Sequence, residues 1–323
     1  MNDRLTPPPA SPAQLRRPRR QLAPSRQRVE NDPGETGVGM SRAVAWWHTW
    51  LRANAVLNVA LWSLAAATVT RERASLPADT DAAYLQLLLS AVYVAGCAYR
   101  SFLPVIDIPR LVLVDSRLSS VLVGRSVATV AELCFAAQWA LILHRAAVSV
   151  GSPFVLALAW IVVPLIVLAE ICSWYAVLTT GQRAHAAENS LWGLAATLAV
   201  IGMLVIEPHR IAALHPATIG AGAAYVAFIF IYDVPMYWSR WRDDQANGHR
   251  YLSIADGMVD VSRRWTVSRR WEDWRKEVPW MSLYFTFGVW SSIWLFYASL
   301  AFGHGNGGFA VVTLTPLADQ APA

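Results

Sequence analysis

Three apolar stretches of this sequence each carry a carboxylate where lipid would otherwise surround it. They are Glu132 in VLVGRSVATVAELCFAAQWALILH, Glu170 in FVLALAWIVVPLIVLAEICSWYAVLTT, and Glu188 just ahead of SLWGLAATLAVIGMLVI. Asp233, next to Tyr232, is a fourth acid toward the end of another apolar stretch. A charge at the centre of a bilayer costs ~2.5–3.5 kcal/mol on insertion scales, so such residues face a bundle interior, take partners and mark sites. Their spacing puts further polar groups on the same helical faces. Arg125, Thr129 and Glu132 stand at i, i+4 and i+7; Glu170, Ser173 and Trp174 at i, i+3 and i+4; His185, Glu188, Asn189 and Trp192 follow the same pattern. Carboxyl groups buried beside one another are the usual way to keep a transferable proton. Glu132 and Glu170 are therefore expected to form an acid/base pair, with Glu188 and Asp233 as further catalytic carboxylates. Arg125, Ser173, His185, Asn189 and Tyr232 are expected to bind substrate, and Trp139, Trp174 and Trp192 to line its pocket, where they can stabilise cationic character. A bland alternative stands beside this: Arg125–Glu132 as an ion pair fixing register, Glu188 as a helix cap, and Asp233 at the headgroup level.

The elements that would position these groups are membrane spans. The 323-residue chain is 55% hydrophobic and 15% charged, against about 25% charged in soluble domains. Its mean hydropathy is +0.34. Sixteen tryptophans suit an interfacial belt. Apolar runs of ~20 residues are long enough to cross, and seven are expected: 53–69, 82–99, 121–144, 154–179, 189–206, 219–238 and 281–302. The fold class that follows is an all-α polytopic membrane protein with a seven-helix membrane domain over 43–302. Residues 1–40, rich in arginine and proline, are expected to be a disordered cytoplasmic tail, and 303–323 an outer C-terminal tail. Residues 100–120 are partly apolar but hold Asp107, Arg110, Asp115 and Arg117, and read as lying along the interface. Residues 239–280 mix tryptophans with arginines and read as one or two amphipathic helices on a membrane face.

Loop charges set the orientation. With the N-terminus inside, 23 of the 27 arginines and lysines fall on the inner side and four on the outer. The positive-inside rule then puts the N-terminus in the cytoplasm and the C-terminus outside. The acids fall between the midplane and the inner face, in a site open to the cytoplasmic side. Lys276 is the only lysine; that arginine bias is a codon-usage hint of a GC-rich bacterium, hence of a bacterial inner membrane.

Several chemistries are excluded. A retinal Schiff base needs a lysine in a span, and Lys276 is in a loop. The seven histidines form no histidine box. Span seven holds no acid to complete an aspartyl-protease pair with Tyr232-Asp233. There is no P-loop and no Gly-x-Ser-x-Gly. Asp243-Asp244-x-x-Asn247, with Asp256 and Asp260, is a faint trace of a magnesium–diphosphate motif. The three cysteines lie in apolar spans and imply neither disulfide nor metal. No cofactor and no metal is expected, and the placement of the arginines argues against nucleic acid; the expected partners are the bilayer and a lipophilic small molecule, with oligomeric state unspecified. In architecture alone, the layout is similar to the small membrane-bound terpene cyclases, and architecture does not fix function. Three functions remain open: an intramembrane acid–base enzyme, a non-catalytic scaffold or sensor, and a proton-coupled transporter.

Overall fold

The computed structural model describes residues 40–71, 80–206 and 216–301. The expected tails at 1–40 and 303–323 lie outside the described residues, apart from Met40. Helix makes up about 84% of the structure. Among the described residues, five helices are long and apolar enough to cross a membrane: Ala82–Phe102, Val121–Val150, Pro153–Thr179, Gln182–Ile206 and Thr218–Ala246.

Local chemistry sets where the helices begin and end. Helix α3 (Val121–Val150) starts where the Ser120 hydroxyl accepts from the Val123 amide. It stops at Gly151, whose φ of 69° closes the last turn with its N–H on Ala147 and Val148. Ser152 then caps α4 (Pro153–Thr179), with Pro153 in the first turn, where its missing N–H costs nothing. A two-residue turn at Thr180–Gly181 leads into α5 (Gln182–Ile206). Connections this short force α3, α4 and α5 into an up-down-up packing, which holds one apolar core: Ile142, Leu143, Val155, Ile166, Met203 and their neighbours. Helix α1 (Arg42–Arg71) and α2 (Thr80–Phe102) build a second core around Trp47, Leu51, Tyr93, Phe285 and Phe296.

Two π turns interrupt the remaining helices. One, Ile229–Asp233, joins α6 (Pro216–Phe228) to α7 (Val234–Ala246). The other, Tyr284–Gly288, joins α10 (Val278–Leu283) to α11 (Val289–Ala301). A π turn leaves backbone groups to be satisfied from outside. At the second, the Phe285 carbonyl accepts from both Asn54 (3.1 Å) and Asn58 (2.8 Å) of α1.

The two segments expected along the membrane surface pack against the helices through short strands and helices of their own. After α2 the chain makes strands β1 (Val105–Ile106) and β2 (Leu111–Val112), paired antiparallel with Val105 opposite Val112. Strand β3 (Thr266–Val267) joins β2 in parallel. Arg110 ties this sheet to the bundle by pairing with Asp260 and donating to the Val177 carbonyl at 3.1 Å. Of the stretch 239–280, one helix is amphipathic as expected, α8 (Ile254–Arg263): Gly257 and Val261 are buried, while Ile254, Met258 and Val259 are exposed. A Cβ at Gly257 would lie 2.1 Å from the Leu178 carbonyl oxygen, so only glycine lets α8 approach α4 this closely. Short helix α9 (Trp271–Trp274) carries Trp274 to full burial against Trp47, with ring centroids 5.6 Å apart. Few aliphatic residues were needed there, because one buried tryptophan and three short strands do the docking.

Candidate functional site

The acids on α3, α4 and α5 converge. Carboxylate oxygens of Glu132, Glu170 and Glu188 all lie within 4.8 Å of one another, and all three residues are buried. The guanidinium of Arg125 sits among them. Its Nη2 donates to Glu132 at 3.0 Å and to Glu170 at 2.6 Å, and its Nη1 lies 3.6 Å from Glu188. A fourth carboxylate, Asp107, comes from the turn after β1 and stands 4.0 Å from Nη1. The i, i+4, i+7 face on α3 is what allows this: Arg125 reaches its own helix's Glu132, and Thr129 between them donates to Glu170 at 2.6 Å. Trp174 in turn donates its indole N–H to Thr129 at 3.0 Å.

Four carboxylates around one guanidinium leave a surplus of formal negative charge in a buried place. Such a surplus is offset by bound protons or by a cation. Three buried carboxylates could hold a metal ion. Here, though, the Arg125 guanidinium is already hydrogen-bonded into their midst with the same sign of charge, so the donor set does not fit a metal while that residue is in place. Bound protons, and the positive charges of Arg100 and Arg240 on the same cavity, remain as means of balance.

A second polar run joins the first at Glu188. His185 Nδ1 is 2.7 Å from Glu188 Oε2, and Asn189 donates to the His185 carbonyl at 3.0 Å. The Tyr237 ring packs on His185, centroid to centroid 5.2 Å. Arg240 lies over Tyr237 at 5.3 Å and donates to Glu277 at 2.7 Å, and Trp280 donates to the same Glu277. Hydrogen bonds, ring contacts and the Arg125–Glu188 ion pair thus connect Trp280 on α10 to Glu132 on α3.

Much of this chain lines one cavity of about 900 Å³. Arg100, Asp107, Arg125, Glu132, His185 and Glu188 face it, as do Asp233, Tyr237, Arg240 and Glu277. The rest of its wall is apolar and aromatic, including Trp139, Trp192, Tyr225, Trp280, Trp290 and Trp294. Along α5 the lining runs from Gln182 to Met203, ~30 Å at 1.5 Å per residue and thus the thickness of the hydrocarbon core. The α6–α7 side of the cavity is the least covered. Only 6% of the residues in the most apolar stretch of Thr218–Ala246 are buried, against 39% in each of the other four candidate spans.

Most of the residues singled out by sequence are at this cavity: Glu132, Glu188, Asp233, Arg125, Trp139, His185, Asn189 and Trp192. Others are placed differently. Glu170 is behind the wall, holding Arg125 from the α4 side, and Ser173 and Trp174 are behind it too. Tyr232 is 42% exposed, stacks on Phe228 at 5.4 Å and does not line the cavity. The faint magnesium–diphosphate acids are occupied elsewhere: Asp256 bonds the capping Ser253, and Asp260 pairs with Arg110. Sequence reasoning missed Asp107, Arg100, Tyr237, Arg240 and Glu277. Tyr237 and Arg240 were within reach, since they continue the stripe from Asp233 at i+4 and i+7. Comparison with protein families, with curated proteins and with solved structures finds no match for this chain.

Proposed function

We propose that this protein is an integral membrane enzyme that performs acid–base chemistry on a lipophilic substrate held in the cavity. One observation carries the reading: a hydrogen-bonded His185–Glu188 pair, anchored by Arg125, opens onto a mostly apolar, tryptophan-rich chamber as deep as a bilayer core. A histidine hydrogen-bonded to a carboxylate is the usual means of holding a ring nitrogen ready to take or give a proton. In this reading His185 and Glu188 are the proton-handling pair. Glu132 and Asp233 are further carboxylates facing the substrate, and Glu170 positions Arg125. Trp139, Trp192 and Asn189 contact the substrate body. The scant burial of the Thr218–Ala246 span supports access from the lipid on that side.

The same proposal includes seven spans, with the N-terminus cytoplasmic and the C-terminus outside, in a bacterial inner membrane. Helix α1 has 30 residues, ~45 Å at 1.5 Å per residue, and α10 through α11 reaches ~36 Å. Both exceed the ~30 Å core. They fall short of the five most apolar helices because tryptophan, tyrosine, asparagine and serine interrupt them.

Lipid extracts of cells lacking the protein test this reading against cells re-expressing it. A species that changes on deletion should be restored by the wild type and not by Glu188→Gln or His185→Gln at equal membrane abundance. Full restoration by both variants would sink the enzyme. A carrier is the second reading, favoured by the length of the cavity along α5; uptake into proteoliposomes that stops when the pH gradient is collapsed would decide for it.

A further inference from the structure

Three guanidinium groups line the cavity, and they are not alike. Arg125 is surrounded by four carboxylates. Arg240 is paired with Glu277 at 2.7 Å. Arg100, in the last turn of α2, is 6% exposed, and its recorded partner is the Val105 carbonyl, 3.1 Å from Nη2. Its Nε has no hydrogen-bond partner, and among the described residues no carboxylate lies within ion-pair distance of it. An arginine cannot shed its charge in a protein, and a buried charge without a counter-charge costs several kcal/mol. None of the acids on the same cavity pairs with it directly: Asp107, Glu132 and Glu188 are gathered around Arg125, and Glu277 is taken by Arg240.

From this we infer that Arg100 binds an anionic headgroup, a phosphate or carboxylate, at the polar end of the lipophilic molecule that fills the cavity. The inference rests on the cavity being a lipophile site and adds the charge of the substrate to it. The fork of a guanidinium matches two oxygens of such a head. Arg100, in the last turn of α2, lines the cavity together with Asp107, Gln182 and Arg240, and from Gln182 at the start of α5 the lining continues along that helix to Val200 and Met203. A head at Arg100 would leave an apolar chain along the tryptophan-lined wall and bring the first carbons past the His185–Glu188 pair. Arg100 is thus a specificity residue, and it makes no claim on the proton transfer.

Binding to the purified full-length protein in phosphatidylcholine nanodiscs tests this, with empty nanodiscs subtracted. The probes are dodecyl phosphate, dodecanol and inorganic phosphate. Dodecyl phosphate should bind at least about tenfold more tightly than dodecanol, as a charge-assisted contact requires. Inorganic phosphate should show no comparable binding, because it lacks the chain. Arg100→Gln should bring dodecyl phosphate to within about twofold of dodecanol and leave dodecanol unchanged, and Arg100→Lys should keep part of the preference. Equal binding of dodecyl phosphate and dodecanol by the wild type would overturn the proposal without any variant being needed. So would a preference that survives Arg100→Gln, or inorganic phosphate binding as tightly as dodecyl phosphate. Failure of the enzyme reading looks different: the preference for the phosphate would persist while His185 and Glu188 variants restored the cellular extracts.

Discussion

The molecule buries polar groups in two ways, a few helical turns apart. Around Arg125 on α3, α4 and α5 they are charged, and several atoms are left without a partner: Arg125 Nε, Glu170 Oε1 and Asp107 Oδ1. Between α1, α2, α3 and α11 they are neutral. Gln138 donates to the carbonyls of Gln86 and Ser292 and accepts from the Ser292 hydroxyl, while Gln86 donates back to the Gln138 carbonyl. Ser292 also lies 3.0 Å from Ser90. None of Asn54, Asn58, Gln86, Ser90, Gln138 or Ser292 lines the cavity. The difference separates two uses of polarity in an apolar body. Amides and hydroxyls that largely satisfy one another, with Gln86 Oε1 the one buried atom of this network left without a partner, fix which helices pack and in what register. Charges that stay incompletely satisfied are kept where a ligand or a proton can complete them.

The comparison breaks hardest if Arg125 can be removed at little cost. Arg125→Met takes the one guanidinium from four carboxylates while nearly keeping the side-chain length. Breaking a buried pair from one side costs ~3–5 kcal/mol, since the uncompensated charges stay behind. The variant should give little monodisperse protein on size exclusion, and what remains should unfold at a clearly lower temperature. Near-wild-type stability would mean that the acids are already neutral and that the charged cluster is no different in kind from the amide network.

How much of this was legible follows the same division. The charged cluster could be read, because acids inside hydrophobic runs are conspicuous and Arg125, Thr129 and Glu132 share a helical face. That Glu170 would stand behind the wall could not, since helical periodicity places a residue on a face without saying which side of a neighbour it reaches. Asp107 was hidden by its segment: two prolines and mixed charge describe a surface stretch until β3, 155 residues after β2, pairs with β2 and folds it inward. The neutral network was largely invisible. Asn54 and Asn58 fall on one face of α1, but glutamines and serines in spans are common, and only tertiary pairing shows Gln86 facing Gln138. The helical character followed directly from hydropathy. The two π turns did not, because they depend on α1 offering amides to the Phe285 carbonyl and on packing around Ile229.

Smaller changes sharpen the contrast from the neutral side. Gln138→Met removes the hub of the network in a shape-conserving way. Interhelical hydrogen bonds in membranes average ~0.6 kcal/mol, with a maximum near 1.7, so losing this one should cost about 1–2 kcal/mol by thermal unfolding. It should leave the anion preference of the cavity unchanged. Asn54→Ala and Asn58→Ala should each cost less, roughly 0.5–1 kcal/mol, because the Phe285 carbonyl keeps the other donor. The double variant should cost more than the two singles together, since only then does that carbonyl lose both. Strict additivity would show that the two asparagines do not share the π turn as an acceptor.

The smallest expected effect lies at the rim of the same region and concerns pH. The network's amides and hydroxyls do not titrate, so protons reach this half through groups on its edge. His48, ahead of the first span on α1, has its Nε2 3.2 Å from the Phe102 carbonyl at the end of α2. Burial lowers its pKa below the ordinary 6.5; the contact with the Phe102 carbonyl raises it, and the positive charge of Arg52 lowers it further, with a net downward shift. Because the folded value is the lower one, the unfolded chain binds more protons in that window. Stability is therefore unaffected above about pH 6.5 and falls as the pH drops from there toward the folded value. His48 is partly exposed, so solvent screens the effect and the change is small. Comparing wild type with His48→Gln at about pH 7.5 and about pH 5.5 isolates it from the carboxylates, which titrate in both proteins. The wild type should lose slightly more stability on acidification than the variant does. An identical loss in the two would place the pH response of the whole protein in the charged cluster and leave the neutral half, rim included, without any.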